Sequence, residues 1–147
     1  MSAATEYETM GKVTVEIELT NANDEINERQ GIKTGIAVRK ASVIGLVDTG
    51  ATMLVLPIDV IQKLGLTHVR KASSRVADGR VVQRGIFGPV KITVLQRDMI
   101  IEAAEGPIGV PPLLGQIPLG GLDFHVDPKG QRLIPNPESP DMAMIDL

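Results

Sequence analysis

The sequence predicts an all-β fold, a closed barrel or sandwich with one short helix. Three observations carry this. Short runs rich in Val, Ile and Leu recur along the chain, turn residues separate them at close intervals, and only one segment has clear helix start and stop signals. At 147 residues the chain is one domain with room for a substantial core. Tyr7, Phe87 and Phe124 are the only aromatic residues, so that core must be built from Val, Ile, Leu and Met.

Residues 12–20, KVTVEIELT, alternate strictly, with Val13, Val15, Ile17 and Leu19 on one face, the pattern of a half-buried strand. NANDEINERQG (21–31) reads as a polar connection. IAVRK, SVIGLV and TMLVL follow, between residues 36 and 56, as short β-rich runs. PIDVIQKLG (57–65) is the one convincing helix: Pro57 suits its first turn, Asp59 the positive end of its dipole and Gly65 its end. HVRKASSRVA and RVVQRGIF then flank Asp78-Gly79, a dipeptide that favours a two-residue hairpin turn. PVKITVLQ and MIIEAA are two further strands, PLLG is a short buried one, and QIPLGGL suits a single helical turn. DFHV and QRLI are joined by Asp127-Pro128-Lys129-Gly130, which fits a type I turn with proline second. PNPESPDMAMIDL reads as a mobile tail. The chain thus divides into an extension at 1–11, the domain at 12–134 and an acidic, proline-containing tail at 135–147.

Composition removes several function classes. With no cysteine, disulfides, thiol nucleophiles and thiolate metal sites are excluded. His68 and His125 are far apart and lack clustered carboxylates, so neither a metal nor another cofactor is expected. Ser73-Ser74 has no nucleophile-elbow context. The first ten residues have neither the basic region nor the apolar run of a signal peptide, and prolines and glycines interrupt the apolar stretch at 106–122. The expectation is a cytoplasmic protein without a membrane partner.

Net charge is −3, unevenly spread. Residues 70–97 hold seven basic side chains against Asp78 alone, while the first thirty-one residues hold seven acidic against two basic. Either these strands complement each other or face water, or they form a basic groove that prefers acidic peptides. Nucleic acid is not an expected partner, because stacking aromatics are missing.

LVDTGATMLVLP (46–57) is the informative stretch. A carboxylate in a buried apolar run is costly unless it is hydrogen-bonded, paired or protonated, so Asp48 asks for a reason. Apolar-apolar-Asp48-Thr49-Gly50-Ala51 at the end of a strand resembles the active-site signature of aspartic proteases. Leu113-Leu114-Gly115 resembles the element such folds pass behind that loop, and a hairpin with its tip at Asp78-Gly79 lies where they place a flap. The resemblance covers roughly residues 12–134, and the size and Ala51 are similar to the single-lobe retropepsins.

What the resemblance implies is an endopeptidase that activates water between two Asp48 carboxylates sharing a proton. The chain has one Asp-Thr-Gly and no room for a second lobe, so the second carboxylate would come from a homodimer partner. In the family, Thr49 bonds its counterpart across the axis, Gly50 accepts hydrogen bonds from the substrate backbone, and Leu113 faces substrate. Asp78 and Gly79 would close over a peptide or protein substrate. Ala51 stands where pepsin-like enzymes carry serine, so a less acidic rate optimum is expected. Thr52 and Gln116 depart from the family, whose viral members have an acid and an arginine there. Two alternatives remain: a non-catalytic homodimer that binds peptides as added strands, and a dimerisation module that cleaves only its own tail.

Overall fold

Strict alternation becomes strand β1 (Thr14–Asn21), with Ile17 and Leu19 fully buried and Glu16 and Glu18 in water. The computed structural model describes residues 12–76, 78–127 and 129–145. β1 pairs antiparallel with β2 (Lys40–Val47), and through its C-terminal half with β5 (Val81–Val94). β2 runs parallel to β7 (Leu113–Leu114), which runs antiparallel to β3 (Leu54–Pro57). β3 is parallel to β6 (Arg97–Gly106), and β6 is antiparallel to β5. These pairings return to β1, so six strands close a ring and β4 (Thr67–Arg75) extends from β5. Within the ring, closure leaves no open edge to invite wrong pairing, and β4, paired only with β5, is left as an edge strand. Strands β8 (Phe124–Asp127) and β9 (Arg132–Pro135) form a separate hairpin. The all-β expectation holds, and the ring is filled by aliphatic side chains such as Ile17, Leu54, Leu56, Val90, Ile92 and Leu114.

Among the described residues three helices accompany the sheet rather than one. The segment read as a polar connection contains α1 (Ala22–Arg29). Its driving force is at its ends rather than in an apolar stripe. Asn21 accepts the Asp24 N–H at 3.0 Å, Asp24 and Glu25 sit at the positive end of the dipole, and Arg29 at the negative end. The predicted helix forms as α2 (Ile58–Leu64), ending at Gly65 with φ 64° and burying Ile61 and Leu64. QIPLGG forms α3 (Gln116–Gly121), burying Pro118 and Leu119.

The runs 80–87 and 89–96 are one strand, β5, of 14 residues. A register shift between Phe87 and Val90 bends it, so that its first part pairs with β4 and its last part with β1. It stops at Val94, before the predicted end at Gln96. Leu95 and Gln96, both left-handed with φ 47° and 70°, make a two-residue turn into β6. IAVRK contributes only Lys40 to a strand. The β4–β5 turn is longer than the two residues predicted. Val76 and Arg80 close it with a backbone bond of 2.9 Å, and Gly79 takes φ 88°, the geometry of a three-residue hairpin loop. Pro128, placed second in the predicted β8–β9 turn, lies outside the described residues.

The tail is tied down rather than free as far as it is described. Asp123 Oδ1 accepts the Asn136 amide at 3.0 Å, and Oδ2 accepts the Ser139 hydroxyl and the Met144 N–H. Arg97, almost fully buried, donates to the carbonyls of Leu122, Asp123 and Ser139.

Candidate active site

Asp48 begins the loop that leaves β2, and its position is set by β7. Its N–H donates to the Leu114 carbonyl at 3.1 Å, continuing the parallel pairing of Val47 with Leu114. The side chain then folds back: Oδ1 accepts the Gly50 N–H at 2.9 Å, while the Asp48 carbonyl accepts the Ala51 N–H at 3.1 Å. This is a turn that an aspartate makes readily. Oδ2 has no donor among the described residues. Asp48 is half-buried, whereas Thr49 and Gly50 are exposed.

The loop is supported from beneath by the chain leaving β7. A Cβ on Gly115 would stand 2.5 Å from the Met53 carbonyl oxygen and 2.7 Å from that of Ala51. Both neighbours are backbone, so the crossing requires glycine. Beyond it the Gln116 N–H donates to Ala51 O at 2.8 Å and the Ile117 N–H to Thr52 O at 2.9 Å. The Gln116 side-chain amide reaches Thr49 O at 2.7 Å. Strand, loop and α3 are thereby laced together through backbone carbonyls.

This crossing, a strand threaded between β2 and β3 beneath an Asp-Thr-Gly-Ala loop, sits within a recognisable segment. A family model described as aspartyl protease matches residues 35–116, more than half of the chain. The chain belongs to the aspartyl protease family. No curated protein matches it. Family membership supports hydrolysis of peptide bonds by aspartic chemistry.

In this aspartyl protease Asp48, Thr49, Gly50 and Ala51 occupy one tight loop, and Leu113 lies half-buried beneath it, paired with Leu46 and Val55. Asp78 and Gly79 are at the far end of the β4–β5 hairpin, and no hydrogen bond ties them to the loop among the described residues. The base of that hairpin meets the start of β3 and of α3. Arg70 joins Met53, Leu54, Ile101, Glu102 and Ile117 around a depression of about 220 Å³, with its guanidinium 2.5 Å from Glu102. Gly115 and Gln116 are the residues that motif reading undervalued. Leu-Leu-Gly is too common to stand out, and a glutamine replacing a family arginine reads as a loss until its amide is seen on Thr49.

Part of the basic charge is complemented within the chain. Lys91 reaches Glu25 of α1 at 2.8 Å, Arg70 pairs with Glu102, Arg80 pairs with Asp78 at 2.6 Å, and Arg97 is used internally. Lys71, Arg75 and Arg84 form no ion pair among the described residues, and Arg84 donates to the Glu105 carbonyl at 2.9 Å. His68 packs edge-on against Phe87 with ring centroids 5.2 Å apart. Among the described residues no three His, Cys, Asp or Glu side chains stand together as a metal site would need. No helix is long and apolar enough to cross a membrane among those residues.

Proposed function

We propose that this aspartyl protease is a homodimeric endopeptidase in which two Asp48 carboxylates, one from each copy, activate the attacking water. The observation that carries the reading is a single Asp-Thr-Gly loop per chain whose Asp48 has one oxygen engaged and the other open, with Thr49 and Gly50 exposed beside it. Two adjacent carboxylates in a low-dielectric site hold one proton between them, because two negative charges in contact repel strongly. The ionised member takes a proton from water as its oxygen attacks the peptide carbon, and the protonated member gives its proton to the carbonyl oxygen. The tetrahedral adduct then collapses: the C–N bond breaks, the amine nitrogen takes a proton, and the shared proton is restored.

The other residues have roles in the same frame. Thr49 would meet its counterpart across the two-fold axis, and the Gly50 carbonyl would accept the substrate backbone. Leu113 would flank the scissile residues, and the hairpin carrying Asp78 and Gly79 would close over them. The test is incubation with a complex peptide library, wild type beside Asp48→Asn, with products read by mass spectrometry. Internal cleavages made by the wild type and absent from the variant are expected. The same products from both would contradict the reading. Peptide binding and biological output that survive in Asp48→Asn would mark a binding module instead.

A further inference from the structure

The peptide unit between Thr49 and Gly50 is held at both ends. Its N–H donates to Asp48 Oδ1 at 2.9 Å, and its carbonyl accepts Gln116 Nε2 at 2.7 Å. A peptide unit is a rigid plane, so fixing the direction of the oxygen fixes that of the N–H. Gln116 is itself anchored, because its backbone N–H donates to Ala51 O at 2.8 Å. Its side chain is exposed and fills no core space. A single exposed hydrogen bond adds little net stability, but it adds direction.

We propose that Gln116 is a positioning residue, whose side-chain amide orients the Thr49–Gly50 peptide and, through that peptide, the Asp48 carboxylate. The inference rests on the reading of Asp48 as catalytic, and it gives the departure from arginine at this position a definite use. The amide reaches across to a backbone carbonyl in its own chain, so the loop is aimed before any partner arrives. Catalysis is sensitive to such aim, because small displacements of a reacting group cost far more in rate than in stability.

The experiment compares Gln116→Met, which keeps the length and removes the donor, with Gln116→Glu, which keeps the shape and, where ionised, offers only acceptors, and with Gln116→Arg, which restores a donor. Three readouts are taken on each full-length variant: kcat and KM on a peptide found in the library screen, hydrogen exchange at the Gly50 amide, and melting temperature. The Met and Glu variants are expected to lose about tenfold in kcat with KM little changed. Their Gly50 amides should exchange about tenfold faster, melting should move by only a few degrees, and Arg should recover most of both losses. Unchanged kcat and Gly50 exchange in Gln116→Met would overturn the proposal, as would a change in KM and melting with kcat intact. If the wild type cuts no peptide, or Asp48→Asn cuts as well as it does, the functional reading has failed separately. Gly50 exchange then still decides: faster exchange rescued by Arg supports the clamp, and unchanged exchange overturns it.

Discussion

Asn21 shows how much one buried side chain can settle. Its oxygen accepts the Asp24 N–H at 3.0 Å and caps α1, while its nitrogen donates to the Leu64 carbonyl at 2.8 Å and closes the end of α2. Asn21→Ala leaves a donor and an acceptor without partners, and a loss of about 2 kcal/mol is expected in denaturant unfolding. Gly115→Ala should act differently. The added methyl meets the carbonyls of Met53 and Ala51, so the Asp48 loop must shift, and on the proposed reading cleavage should fall by about a hundredfold in steady-state assays. Asp48-Thr49-Gly50-Ala51 stands out in the sequence because its pattern lies in adjacent residues, and the structure folds these into one tight loop. Gln116 was legible only as a departure, because its partner stands 67 positions away and a hydrogen bond to a backbone carbonyl leaves no mark on the partner's identity.

Elements were legible where their residues alternate or carry end signals. β1, β4 and α2 follow from pattern alone. α1 escapes pattern reading because it presents no sustained apolar stripe and is held by its caps and by Arg39, whose guanidinium donates twice to Asp24 at 2.8 and 2.9 Å and whose backbone N–H donates once at 3.0 Å. The Leu95-Gln96 turn was missed because neither residue signals the left-handed backbone that the tight connection imposes. Composition alone suggests a free tail, yet three donors from it converge on Asp123. The Ser139 hydroxyl first, then the Met144 N–H and the Asn136 amide, hold its carboxyl at about 2, below the ordinary 3.8. A carboxyl depressed on folding stabilises the fold above its unfolded value, and that contribution vanishes as pH falls through the folded value. The attachment should therefore be complete above pH 3.8 and released as pH drops toward about 2, followed by the Met144 amide resonance. Asp123→Asn should weaken the attachment at neutral pH, and a Met144 signal unaffected by either change would contradict this account.

Ring closure was foreseeable in class, though not in detail. Many short apolar strands predict a barrel, but which strands neighbour which depends on contacts across the whole chain, such as β7 inserted between β2 and β3. The uneven charge likewise acquired meaning only in three dimensions, where Lys91 of β5 meets Glu25 of α1. At this scale the central claim is stoichiometric: cleavage needs two Asp48 carboxylates contributed by two copies. Its most direct measurement is subunit mixing, in which Asp48→Asn protein is added to a fixed amount of wild type and cleavage is followed after exchange. If each mixed dimer is inactive, an equimolar addition should lower the rate to about half. A rate unchanged by any excess of the variant, with exchange demonstrated, would show that one chain cuts alone and would contradict the account.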